Sequence, residues 1–258
     1  MKRKWVLPGI AAFMALIFGG NWALRPCLSF LTERVQQILF TMVIPYGILL
    51  PVGYGLLRPM EKVSSGCPQP YGIREVLQAA VIQTGLSLPV VCLLNIVSMG
   101  FSDSQMPDFL QAWERLPFYL FLLLIFNPVM EEFVFRKLIL ERLRIFGDRK
   151  AIFLSAAFFA VPHLFSQGLP QLGYTFVLGI VWAHAAMKSG RLTECMILHA
   201  FSNLYGFFLP MILTKTREGT MLYVILNAIM IFSGIFLAVR QKRANGGQKV
   251  PCKVKKEA

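Results

Sequence analysis

The chain has 258 residues, 56% of them hydrophobic and only 15% charged, where a soluble domain averages about 25% charged. Its formal net charge of +13 would suit a nucleic-acid binder, but the lysines and arginines fall between long apolar runs and no nucleic-acid-binding module is present, which excludes that class. The runs do not alternate apolar with polar residues, so a membrane barrel is excluded too, and the pattern predicts an all-α, polytopic transmembrane helical bundle.

In chain order the runs predict eight spans, at 5–20, 35–57, 76–101, 116–140, 151–166, 169–187, 192–213 and 220–239. The fifth and sixth share one stretch, 151–187, without any Asp, Glu, Lys or Arg. It is too long for a single crossing, and the break is predicted at "SQGLPQ", where Gly168 and Pro170 punctuate a turn. The first run follows a basic start, as a signal peptide would, but no clear cleavage site follows it, so a retained helix is expected.

With eight spans and an inside amino terminus, 21 of the 26 lysines and arginines fall on the inside. That asymmetry predicts a multi-pass cell-membrane protein with both termini cytoplasmic. Four regions are expected: helices without motifs over 1–115, a helical core over 116–213, a last span over 214–240, and a basic, polar, disordered tail over 241–258 that can touch anionic lipid. The five cysteines show no C-x-x-C pairing, so neither a disulfide framework nor a thiolate zinc site is expected.

The fourth span carries a feature that a plain membrane anchor does not need. After "YLFLLLIF" comes Pro128 and then two adjacent carboxylates, Glu131 and Glu132. A carboxylate at depth is costly unless paired or wetted, and so is a functional candidate. The pair lies roughly 22 Å into its span, in the inner half of the bilayer. Glu132 and Arg136 are spaced i,i+4 and can pair on one face, whereas Glu131 points about 100° away with no such partner. Pro128 removes a backbone hydrogen bond just upstream.

Two histidines extend the pattern. His163 is in "FFAVPHLF" on the uncharged fifth span, and His199 shares a helix face with Asn203 in "ILHAFSN". One such histidine alone reads as an interhelical hydrogen-bonding group. A Glu pair, an arginine and two histidines on three spans read as a site. His184, near Lys188 and Arg191, reads as an interfacial residue.

"EEFVFR", "FAVPH" and "HAFSN" fit E-E-x-x-x-R, F-x-x-x-H and H-x-x-x-N. In this order on successive spans, they resemble the CPBP family of intramembrane proteases. That family includes the type II CAAX prenyl endopeptidases and relatives linked to bacteriocin processing and self-immunity. The resemblance covers about 118–213. It implies that Glu131, with His163, activates a water; that Glu132 and Arg136 fix the site's geometry; and that His199 and Asn203 donate hydrogen bonds to the oxyanion. A carboxylate held out of water can act as a useful base, and each donor aimed at an oxyanion is worth ~3–4 kcal/mol.

The expected substrate is a membrane peptide or lipidated protein, cut by Glu-activated water without a cofactor. Zinc is the competing chemistry, since two histidines and a glutamate can ligate it, but the H-E-x-x-H spacing is absent. Two other readings stay open: a transporter or proton path, which inverted repeats would favour, and a non-catalytic immunity or scaffold protein.

Overall fold

A computed structural model describes residues 3–63, 68–98 and 114–245, and these form helices joined by short turns, with no strand. Seven helices follow in order: α1 (Arg3–Leu28), α2 (Glu33–Leu57), α3 (Ile73–Ser98), α4 (Leu116–Phe146), α5 (Asp148–Ser189), α6 (Thr193–Leu213) and α7 (Arg217–Asn245). Among the described residues, all of these except α5 are single helices long and apolar enough to cross a membrane.

Helix α5 is the stretch expected to hold two spans. It breaks at Gly168, whose φ of 83° and ψ of −175° lie in a region that essentially only glycine enters. The chain reverses there. A Cβ on Gly179 would lie 3.0 Å from the Cα of Ala156, and the Phe153 and Phe176 rings meet at 5.3 Å, so the two arms run antiparallel in contact. With these arms counted separately the described residues form eight rods, and the protein is an all-α polytopic membrane fold. Large apolar side chains that a bilayer would cover stay exposed along α7, Val224, Phe232 and Phe236 among them.

The expected span edges shift in places. Helix α1 continues to Leu28 and α4 to Phe146, past the predicted 20 and 140. Helix α7 runs on to Asn245, into the region expected to be a disordered tail. The rest of that tail, and the end of the span predicted to reach 101, lie outside the described residues.

The two ends of the bundle are laced by polar groups. At one end the segment after α2 is tied to α4 and α5: Val63 N–H donates to Glu141 O at 3.0 Å, and Gln69 N–H to Lys188 O at 2.8 Å. The fully buried Arg142 joins in, with Nε donating to Leu57 O at 2.9 Å and Nη1 to Leu138 O at 2.7 Å. Tyr71, between α2 and α3, lies at this end too, and burial pushes its hydroxyl up to about 12, so it stays protonated at neutral pH. At the other end Arg115 bonds Gln37 at 2.9 Å, and Gln37 bonds the Tyr119 hydroxyl at 2.9 Å. The loops that the charge asymmetry assigns to the inside therefore gather at one end.

Prolines and polar groups widen several helices into π turns, which often occur at functional sites. Among the described residues they span Ala15–Gly19, Leu39–Leu49 around Pro45, Leu122–Phe126 before Pro128, Phe133–Leu140 after the glutamates, and Leu204–Phe208 after Asn203. Three of the five border the motif residues. Helix α3 is central, packed against both α5 and α7. Its contact with α7 is a glycine crossing: a Cβ on Gly234 would lie 2.7 Å from the Cα of Gly85.

Candidate active site

The i,i+4 spacing of Glu132 and Arg136 gives the ion pair it predicts. Glu132 Oε2 accepts from Arg136 Nε at 2.8 Å, with both side chains wholly buried. The other oxygen, Oε1, meets His199 Nδ1 at 3.1 Å. A carboxylate paired with a guanidinium can only accept, so Nδ1 carries a proton and donates it. Both oxygens of Glu132 are thus engaged, one by a neighbour on its own helix and one by α6. Arg136 is held in turn by Ser155 on α5, with Nη1 donating to Ser155 Oγ at 2.9 Å and Ser155 Oγ to Phe135 O at 3.1 Å. Its guanidinium lies 5.4 Å from the Phe159 ring centroid and 6.0 Å from that of Trp182. That is cation–π range, which offsets part of the cost of a buried cation.

Glu131 differs. Its side chain keeps 16% of its surface accessible, where Glu132 has none, and the ion-pair partner of its carboxylate among the described residues is His199 Nε2 at 3.9 Å. That gap is too long for a hydrogen bond. A water about 2.8 Å from each atom would span it at an angle of roughly 90°. His199 stands between the glutamates, with Nδ1 on Glu132 and Nε2 towards Glu131.

His163 donates from Nδ1 to Phe159 O at 3.0 Å, which leaves Nε2 as its free acceptor. Its ring packs on Phe159 with centroids 5.0 Å apart, and Phe159 lies 6.0 Å from His199. No ion pair within 4.0 Å joins His163 to either glutamate among the described residues. The histidine within 4.0 Å of Glu131 among the described residues is therefore His199, and the Phe159 ring packs against both histidines. The exposed His184 takes no part.

Asn203 answers a defect left by Pro128. In the π turn, Asn127 N–H reaches back five residues to Leu122 O. The next bond of that ladder would join residue 128 to Leu123 O, but proline has no N–H. Asn203 Nδ2 donates to Leu123 O instead, at 2.7 Å. One of its two amide N–H groups is spent on this link between α6 and α4, and the other remains for a ligand.

Three further residues surround the site without belonging to any motif. The Trp182 indole stacks on His199, with centroids 4.3 Å apart and planes 18° apart. Gln83, on α3, accepts the indole Nε1–H at 2.6 Å and donates to Leu198 O at 2.9 Å. Tyr46, on α2, lies within electrostatic reach of Glu131. A polar residue in an apolar span was the available signal for Gln83, in "AAVIQTGLS".

A cavity of about 360 Å³ opens beneath the site at the laced end of the bundle, lined by Arg136, Lys137, Glu141, Arg144, Gly190 and Arg191. Gly190, with φ 69°, ends α5 in the left-handed conformation and turns the chain towards α6. Among the described residues no three His, Cys, Asp or Glu side chains are grouped so as to hold a metal ion.

Residues 113–205 match the family model described as type II CAAX prenyl endopeptidase Rce1-like. No curated protein and no solved structure matches the chain.

Proposed function

We propose, because residues 113–205 match the type II CAAX prenyl endopeptidase Rce1-like model, that this integral membrane protein is an intramembrane endopeptidase whose base is Glu131. The observation that carries this reading is the unequal treatment of two adjacent glutamates. Glu132 is locked on both oxygens by Arg136 and His199, while Glu131 keeps accessible surface and faces His199 across 3.9 Å. A structural pair would use both carboxylates, whereas a hydrolytic site needs one held and one free.

In this reading a water lies between Glu131 and His199. Glu131 takes a proton from it, the water oxygen bonds to the scissile carbonyl carbon, and the carbonyl electrons move onto oxygen. The oxyanion meets the remaining amide N–H of Asn203 and, when that ring nitrogen is protonated, His199 Nε2–H. Collapse breaks the C–N bond, and the proton held by Glu131 passes to the leaving amine. His163, with Nε2 free, adds a second acceptor at the edge of the site. Glu132 and Arg136 hold His199 in place, and the reaction uses no metal.

The substrates in this reading are membrane-associated or lipidated, CAAX-type polypeptides. The carboxylates lie about 14 residues, or ~21 Å, from the end of α4 at Phe146. A lipid anchor would bring the peptide to that depth, and the cavity lined by Arg136, Lys137 and Arg191 supports access from the cytoplasmic side. In the expected orientation this laced, basic end and both termini are cytoplasmic.

The test compares membrane peptides from cells carrying the wild type and Glu131→Ala. New peptide ends should appear in the wild type and be missing from the variant. Identical peptide sets would overturn the reading and favour a non-catalytic role.

A further inference from the structure

The residue that holds His199 in plane lies outside the matched segment 113–205. Gln83 is on α3, fully buried, and each end of its side-chain amide is spent within one residue of a site component. Its Oε1 accepts the indole Nε1–H of Trp182 at 2.6 Å, and its Nε2 donates to the carbonyl of Leu198, adjacent to His199, at 2.9 Å. The indole so held lies flat against His199, 4.3 Å away. Trp182 is also fixed from its backbone, where its carbonyl accepts the Cys195 thiol at 3.2 Å.

This arrangement answers a geometric need. The hydrogen bond from His199 Nδ1 to Glu132 fixes one edge of the imidazole but leaves the ring free to swing about that bond. A swing moves Nε2, on the opposite edge, away from Glu131. A flat partner on one face removes that freedom, provided the partner is itself fixed. Gln83 fixes it, and anchors the backbone beside His199 with its other end.

We propose that Gln83 is a positioning residue for His199, acting through the Trp182 indole and the Leu198 carbonyl to hold Nε2 opposite Glu131. The consequence for turnover rests on the protease reading above; the consequence for the ring does not. Helix α3 is then part of the working site and not only a packing element.

Two readouts test this on the full-length protein. The first is kinetic. Gln83→Met should lower kcat roughly 10- to 100-fold with KM little changed, because the reacting groups are misplaced while substrate contacts remain. Trp182→Phe keeps a ring on His199 but removes the N–H that Gln83 grips. The double variant should lose no more than the worse single one, since both break one linkage. Independent, multiplying losses, or an unchanged kcat with only a lower melting temperature, would reduce Gln83 to a staple between helices and overturn the proposal.

The second readout needs no activity. The chain has three histidines. With labelled histidine, the His199 ring resonance, assigned by its loss in His199→Asn, should carry the ring-current displacement of the stacked indole. That displacement should change in Gln83→Met. Should Gln83→Met not fold, Gln83→Asn takes its place, because it is one methylene too short to reach the indole and the carbonyl together. A His199 resonance identical in the wild type and the Gln83 variant would overturn the proposal. A moved resonance in a protein whose wild type cuts no peptide would leave the positioning intact and sink the protease reading instead.

Discussion

Replacing each glutamate of the pair by glutamine should damage two different properties of the protein. Glu132→Gln removes the charge that Arg136 faces at 2.8 Å, in a pair with no accessible side-chain surface. It also puts an amide N–H where one of two donors, Arg136 Nε or His199 Nδ1, now points. Removing one partner of a buried pair typically costs ~3–5 kcal/mol. A domain's whole stability is about 5–15 kcal/mol, so the variant should be marginal, with a melting temperature lower by on the order of 10 °C. Glu131→Gln breaks no tight ion pair, since its His199 partner is 3.9 Å away, and should shift stability by no more than about 0.5 kcal/mol. What it removes is the base, worth about 10²–10⁴ in rate, or roughly 3–5 kcal/mol of barrier. Thermal unfolding in detergent and turnover of a membrane peptide, measured on the same preparations, separate the two. Equal loss of melting temperature in both variants, or near wild-type turnover in Glu131→Gln, would refute this division of labour.

Three other outcomes are expected. Single cysteines placed at Asp148 and at Lys242 should be labelled only from the cytoplasmic side, and labelling of either from outside intact cells would contradict the topology. Gly234→Val should push α7 off α3, because its Cβ would lie 2.7 Å from the Gly85 Cα, and should cost about 1–3 kcal/mol in melting experiments while Gly19→Ala, where a Cβ meets nothing, costs little. Chelators should leave turnover intact and metal analysis should find no stoichiometric zinc; loss of activity restored by zinc would replace Glu-activated water with metal chemistry.

The parts of this structure that could be read from the sequence are those set by local spacing. The apolar runs mark the spans, and "SQGLPQ" marks the reversal because Gly168 alone there accepts the required backbone angles. The Glu132–Arg136 pair follows from i,i+4 geometry. What could not be read depends on how helices rotate against each other. Nothing in "HAFSN" says that His199 would turn Nδ1 to Glu132, 67 residues away, or that the Phe159 ring would pack against both His163 and His199. Asn203 was legible as a motif position but not as the donor to the Leu123 carbonyl freed by Pro128, which needs the π turn to be known first. Gln83 and Trp182 are single polar and aromatic residues in apolar helices. Their meaning appears only when α3 and α5 are docked.

The claim that Glu131 activates water for peptide cleavage is tested most directly with purified protein in lipid vesicles. A farnesylated peptide ending in a C-a-a-X sequence is incubated in ¹⁸O-labelled water, and the products are weighed by mass spectrometry. The account predicts that the wild type releases the terminal tripeptide and leaves one ¹⁸O atom in the new carboxylate of the farnesylated product, while Glu131→Gln leaves the peptide whole. Release of the same products by Glu131→Gln, or an intact peptide with the wild type, would contradict it.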